Sequence, residues 1–142
     1  MAKFEGKEVL VVDDDPDIVT AIEAAITDMG VAIRKTGNGN SAVEMIQEKV
    51  PDLLILDQML PGRSGFLVLE KIRPLRQQTG RPPVIMITAN PGIRHKVYAE
   101  TLGVDVYINK PFRMEKLVKA AETLLEKEPQ PKSPKTPPPE KK

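Results

Sequence analysis

The sequence predicts an α/β fold, a flavodoxin-like, doubly wound parallel sheet of five strands in the order 2-1-3-4-5, on three observations. Short apolar runs alternate with stretches of helical periodicity up to residue 126. The connections between them are short, and strict alternation of this kind makes a parallel sheet covered by helices on both faces. The first, third and fourth runs are continuously apolar, as strands buried on both faces are, whereas the second is short and followed by Arg34-Lys35 and the fifth alternates. The second and fifth therefore belong at the edges, which leaves a switch point between strands one and three where ligands bind in such sheets.

The first strand is Val9-Leu10-Val11-Val12. After it Asp15 is an N-cap, Pro16 occupies the first helical position, Ile18, Ile22, Ala25, Ile26 and Met29 recur at helical spacing, and Gly30 is the stop. The second strand is Val31-Ala32-Ile33. Gly37-Asn38-Gly39 reads as a turn, since a phosphate-binding P-loop needs Gly-Lys-Ser/Thr after its glycines. Ser41 followed by Glu44 reads as a capping box for a second helix through Val43 and Ile46. Leu53-Leu54-Ile55-Leu56 is the third strand, and a helix from about Phe66 is expected to end or kink at Pro74. Val84-Ile85-Met86-Ile87 is the fourth. The helix after it, Ile93 to Leu102, has the weakest amphipathic pattern, and His95 within Ile93-Arg94-His95-Lys96 reads as a solvated helix residue rather than a phospho-relay histidine. A fifth strand, Val104 to Ile108, leads to a last helix with Met114, Leu117, Val118, Ala121, Leu124 and Leu125 on one face.

Composition narrows the function. With 142 residues, one domain is expected over 1–126, and residues 127–142, which hold six of the 14 prolines and no large apolar residue, read as a disordered tail or linker. That segment carries five lysines against two glutamates, leaving 16 basic and 18 acidic groups in residues 1–126. A mildly acidic domain argues against direct nucleic-acid binding. No apolar stretch approaches a membrane span or a signal peptide, so a cytoplasmic protein without membrane contact is expected. The absence of cysteine excludes thiol catalysis and thiolate metal sites, and a single histidine excludes histidine-rich ones.

What lies at the carboxyl ends of the strands carries the chemistry. Asp13 and Asp14 end the first strand, Asp57 the third and Thr88 the fourth, and Lys110 follows the fifth. Three carboxylates brought together repel and call for a cation, and oxygen-only ligands favour Mg²⁺ or a similar hard divalent ion such as Mn²⁺. A carboxylate is a competent nucleophile toward phosphorus once the attacked group's charge is neutralised, and the metal, Lys110 and the Thr88 hydroxyl are placed to do that.

These residues resemble the receiver domains of two-component response regulators over residues 7–126. Val11-Val12-Asp13-Asp14-Asp15-Pro16 is similar to that family's acidic pair, and Leu56-Asp57-Gln58-Met59-Leu60-Pro61-Gly62-Arg63-Ser64-Gly65 to its phosphorylation loop. Met86-Ile87-Thr88-Ala89 and Tyr107-Ile108-Asn109-Lys110-Pro111-Phe112 complete the set. The resemblance implies that Asp57 accepts a phosphoryl group from a histidine kinase, hybrid kinase or phosphotransfer protein. It also implies that Asp13, Asp14, Asp57 and the Met59 carbonyl hold the metal and that Lys110 pairs with the phosphoryl group. The Lys110–Pro111 bond is then expected to be cis, and Thr88 and Tyr107 to carry the signal to the face made by helix four, strand five and helix five.

Three positions depart informatively from the family. Met59 and Asn90 stand where side chains reach the attacking water of dephosphorylation, and a bulky apolar Met59 cannot orient that water, so a long-lived phosphoryl group is expected. Val106 replaces the acid of receivers that dimerise through this face. Asp15 is expected to cap its helix rather than bind metal. No output domain follows Glu126, which leaves a stand-alone receiver or the receiver portion of a longer protein. The rivals are an aspartate-nucleophile phosphohydrolase, disfavoured because Met59 stands where such enzymes have a second acid, and an unphosphorylated interaction module.

Overall fold

A computed structural model describes residues 3–89 and 92–127; Asn90 and the tail from residue 128 lie outside them. The five strands, β1 (Glu8–Val12), β2 (Ala32–Thr36), β3 (Leu53–Asp57), β4 (Val84–Thr88) and β5 (Val106–Asn109), are all parallel and hydrogen-bond in the order β2-β1-β3-β4-β5. The expected order and both expected edges are therefore found. β2 runs further than its apolar core because Arg34 and Lys35 lie within it, Arg34 pairing with Glu8 at 3.1 Å and Lys35 with Glu23 at 2.9 Å. β5 likewise begins at Val106 and ends one residue later than its apolar run.

Side chains alternate across a strand, so each strand feeds two cores. Val9, Val11, Leu53, Ile55, Ile85 and Ile87 pack with α1 (Pro16–Ile26) and α5 (Met114–Glu126) on one face. Leu10, Val12, Leu54, Leu56, Val84 and Met86 pack with α2 (Gly39–Glu48), α3 (Gly65–Thr79) and α4 (Ile93–Thr101) on the other. β3 and β4 are buried at every residue, as continuous apolar runs require.

The helix ends follow local chemistry, with two corrections. Asp15 caps α1 by accepting from the Asp17 N–H at 2.9 Å, Pro16 is its first residue, and after a 3-10 turn at Thr27–Met29 the chain stops at Gly30 with φ 85°. For α2 the cap is Asn38 rather than Ser41: its Oδ1 accepts from the Asn40 and Ser41 N–H groups at 2.7 and 3.2 Å, so the supposed turn begins the helix one residue later. Asparagine at this place satisfies two of the orphan donors that a box starting at Ser41 would leave open. The second correction concerns α3, which Pro74 neither ends nor breaks. Pro74 is exposed, and the turns around it are held by buried Val68, Leu69 and Ile72 and by Arg76. The Arg76 guanidinium, 3% exposed, donates to the carbonyls of Pro82, Leu102 and Gly103 and to Asp105, tying the end of α3 to the end of α4 and the approach to β5.

One glycine fixes the turn from β3 into α3. A Cβ on Gly65 would stand 2.5 Å from the Asp57 carbonyl oxygen and 2.9 Å from Gln58 Cα, so only glycine lets the helix start so close to the strand end. Gly65→Ala is expected to destabilise the fold by roughly 1–3 kcal/mol, the usual cost of overpacking. Urea unfolding checks this, an unchanged midpoint being the contrary result.

Candidate functional site

The paired register of β1 and β3 builds the site. Val11 lies opposite Ile55 and Val12 opposite Leu56, so the next step sets Asp13 beside Asp57 on the face that carries α1 and α5. Both are buried, at 4% and 3% exposure. Asp14 is exposed, yet one carboxylate oxygen from each of Asp13, Asp14 and Asp57 falls within 4.8 Å of the others. Lys110 closes the group, its Nζ 3.5 Å from Asp13 Oδ2 and 3.4 Å from Asp57 Oδ2. The Lys110 backbone is fixed by donating to the Thr88 carbonyl at 2.7 Å, and the Lys110–Pro111 bond is cis, as expected.

The remaining carboxylate lone pairs are partly used. Asp13 Oδ1 accepts from the Asp15 N–H at 2.9 Å and Asp57 Oδ1 from the Met59 N–H at 3.2 Å. Asp13 Oδ2 is buried without a hydrogen bond. Burial, and after it the charge of Asp13, pushes the Asp57 carboxyl up to about 6, against the opposing pull of the Met59 N–H and Lys110. Three carboxylates and one ammonium leave a formal charge of −2, and an all-oxygen donor set, with Asp13 Oδ2 buried and held only by its ion pair with Lys110, suits a hard divalent cation.

Thr88 and Tyr107 meet on the other face of the sheet. Alternation places Thr88 with Val84 and Met86, and Tyr107 packs against that same cluster. Thr88 is fully buried, and its hydroxyl is hydrogen-bonded to the Tyr107 phenol, whose pKa is raised by burial. Asp13, Asp14, Asp57 and Lys110 thus form one group, with the Thr88–Tyr107 pair on the α4 side. Met59, 58% exposed, presents its side chain to solvent two residues after Asp57.

His95 corrects the sequence reading. It is half-buried rather than solvated, its Nδ1 lies 2.8 Å from Gln58 Nε2, and its ring stacks with Phe66 at 5.9 Å between centroids. Gln58 itself, 5% exposed, drew no notice in the sequence. The available signal was a polar residue at the next inward position of an otherwise apolar strand.

Comparisons with known proteins show the family. The family model described as the response regulator receiver domain matches residues 9–122. A curated relative, "Probable transcriptional regulatory protein TcrX" of Mycobacterium tuberculosis, is 36% identical over 127 residues, covering 88% of this chain and 53% of its own. The chain therefore spans about half the length of that relative. The receiver domain of NtrX from Brucella abortus is similar in structure, with a TM-score of 0.73, 32% identity, and 83% of this chain and 98% of that chain covered. The BeF3-activated N-terminal receiver domain of RstA from Klebsiella pneumoniae gives a TM-score of 0.76, 26% identity, and coverage of 85% and 100%. Among the described residues no helix is long and apolar enough to cross a membrane.

The raised Asp57 pKa has a sign that experiment can read. Its folded-state value of about 6 lies above the ordinary carboxyl value of 3.8, so the metal-free fold holds this proton more tightly than the unfolded chain does. The associated stability is present below pH ~4 and lost as pH rises through ~6. Metal-free protein is expected to melt at progressively lower temperature over that window, and added Mg²⁺ to restore stability more strongly above it. Thermal melts at both ends of the window, with and without Mg²⁺, test this; Asp57→Asn should flatten the dependence.

Proposed function

This chain belongs to the response-regulator receiver family, and from that membership we propose that it is a phosphorylation switch whose acceptor is Asp57. The observation that carries the proposal is the buried Asp57 carboxylate set between Asp13 and Lys110. A histidine kinase or a phosphotransfer protein is the donor. The ionised Asp57 oxygen forms the new O–P bond as the donor's P–N bond breaks, and the imidazole leaving group takes up a proton. Lys110, now 3.4 Å from Asp57 Oδ2, then has a phosphoryl oxygen to neutralise. Asp13, Asp14, Asp57 and the Met59 carbonyl would hold Mg²⁺ or Mn²⁺, which supplies charge neutralisation for the transferring group. A cleft of ≈ 440 Å³ lined by Asp13, Asp14, Pro16, Val19 and Lys35 opens beside the two acids that follow β1.

Thr88 and Tyr107 are the proposed switch pair. The Thr88 hydroxyl is engaged by Tyr107, so a phosphoryl group that recruits this hydroxyl must repack the phenol and alter the face made by α4, β5 and α5. An output partner reads that face. Similarity to a transcriptional regulatory protein makes transcription a plausible class of output, exerted through a partner or further domain rather than through nucleic-acid contacts of this mildly acidic unit. Residues 1–126 form the receiver and residues 127–142 a linker in this reading, with the chain acting in the cytoplasm.

Acetyl phosphate with Mg²⁺ is expected to add one phosphoryl group to the protein by intact mass, and none to Asp57→Asn. Lys110→Ala should slow labelling by about 100-fold, the scale of losing one charge-stabilising donor, and chelation of the metal should abolish it. Turnover without accumulation would replace the switch with a hydrolase, and no reaction with an inert module. The lifetime of the phosphoryl group is a separate matter. With Met59 exposed and apolar beside the acceptor, decay is expected over hours, and Met59→Asn should hasten it by about tenfold by orienting water. Loss of the wild-type label within seconds is the contrary result.

A further inference from the structure

Gln58 is the crossing point of the molecule. Its N–H donates to the Ile87 carbonyl and its carbonyl accepts from the Gly65 N–H, both at 2.8 Å, so β3, β4 and the start of α3 are all tied to this one residue. Its side chain leaves on the face opposite Asp57 and meets α4, where Nε2 donates to His95 Nδ1 at 2.8 Å. The His95 ring stacks with Phe66 of α3, and Phe66 packs edge-on against Tyr98, whose hydroxyl donates to Glu70. These contacts hold the N-terminal half of α4 against α3 and the strand end. The other end of α4 is held differently, by the Arg76 guanidinium on the carbonyls of Leu102 and Gly103. Between the two, Ala99 is the buried side chain of α4 among the described residues, and Val97 and Tyr98 are exposed at 55% and 40%. Among its described residues the helix is therefore pinned at its C-terminal end by Arg76 and held toward its N-terminus by the polar and ring contacts of His95 and Tyr98.

The Gln58 amide is also only half satisfied. Its Oε1 is buried with no hydrogen-bond partner. Turning the amide over would satisfy the oxygen only by orphaning the nitrogen, so this arrangement carries an uncompensated polar atom in either orientation. A leucine would fill the same space without that cost. An unpaired buried amide atom makes the contact easy to leave, because breaking it releases the orphan to solvent.

We propose that Gln58 and His95 form a latch that holds α4 in its resting place, with Arg76 as the fixed end, and that phosphoryl transfer to Asp57 opens it. The residue after the acceptor is the natural point of coupling, since the Met59 N–H on Asp57 Oδ1 is set by the Gln58 peptide. This latch rests on the reading of Asp57 as the acceptor. Gln58 and His95 act through position: neither touches the transferred group.

The test is a double-mutant cycle read by binding of beryllofluoride in the presence of Mg²⁺. Gln58→Leu keeps the bulk, and His95→Phe keeps the ring stack while removing the nitrogen. Each is expected to bind beryllofluoride about fivefold tighter than wild type, the equivalent of one net hydrogen bond no longer to be broken, and the double variant no tighter than either single one. His95→Asn, which offers an acceptor oxygen near the Nδ1 position, should restore wild-type affinity. The chain has one histidine, so its imidazole ¹⁵N signals are unambiguous, and Nδ1 should lose its hydrogen-bonded shift when beryllofluoride saturates the protein. Unchanged affinities, additive effects or an unmoved Nδ1 signal would overturn the latch while leaving Asp57 as acceptor. Failure of wild type itself to bind beryllofluoride, matched by Asp57→Asn, would overturn both.

Discussion

The structure depends on the crowding of like charge where β1 and β3 end. Parallel pairing in register puts Asp13 and Asp57 side by side on one face, and burial denies both the solvent that would screen them. At separations up to 4.8 Å, two such carboxylates repel by about 3–4 kcal/mol at an effective dielectric of ~20. Lys110 offsets part of this from β5's end, but one ammonium against three carboxylates leaves the group short of two positive charges. A divalent cation would match that deficit, and protonation of Asp57 reduces it. The raised pKa of that carboxyl reflects its burial first and this repulsion second.

Holding charges in this arrangement takes a rigid frame. β3 and β4 are buried along their whole length between two apolar layers, so neither strand can shift to separate Asp57 from its neighbours without opening both cores. A register slip by one residue would turn Asp57 to the other face and bury a leucine against Lys110. The turn after β3 is equally constrained, by the contact of Gly65 with the Asp57 carbonyl. Against this frame α4 stands out, with Val97 and Tyr98 exposed and Ala99 as its buried side chain among the described residues.

How much of this was legible in the sequence follows from where the determining partners lie. Strand identity and order were legible because burial on both faces leaves a local trace, the unbroken apolar runs at Leu53–Leu56 and Val84–Ile87. Asp13, Asp14, Asp57 and Lys110 were legible because each stands at the end of such a run, and topology alone brings those ends together. Asn38 was misjudged because its neighbouring glycines suggest a turn, and a cap and a turn use the same residue types. Pro74 was misjudged because a local rule about helix interiors met a helix whose turns are secured by tertiary contacts. Arg76 and His95 left no local trace, and Gln58 left only its place in step with Leu54 and Leu56. Their partners lie 26 to 37 residues away in the case of Leu102, Gly103, Asp105 and His95, and nothing in the spacing of a polar residue announces a partner at that range.

The two faces of the sheet then pose a problem that the structure itself resolves. Asp57 points to the side of α1 and α5, whereas Thr88, Tyr107 and α4 lie on the other side, so a change of charge at Asp57 must cross the sheet to be felt there. Apolar strands buried on both sides transmit little sideways. The crossing has to occur at the strand ends, where the backbone leaves the sheet and successive side chains point to opposite faces. Two residues there make covalent neighbours of the two faces. Lys110 reaches Asp57 with its ammonium while its N–H holds the Thr88 carbonyl, and Gln58 follows Asp57 in the chain while its amide holds His95. Only one peptide unit separates the Asp57 carboxylate from the Gln58 side chain, so a change of charge at Asp57 has a short covalent route to the 2.8 Å contact with His95 on the far face.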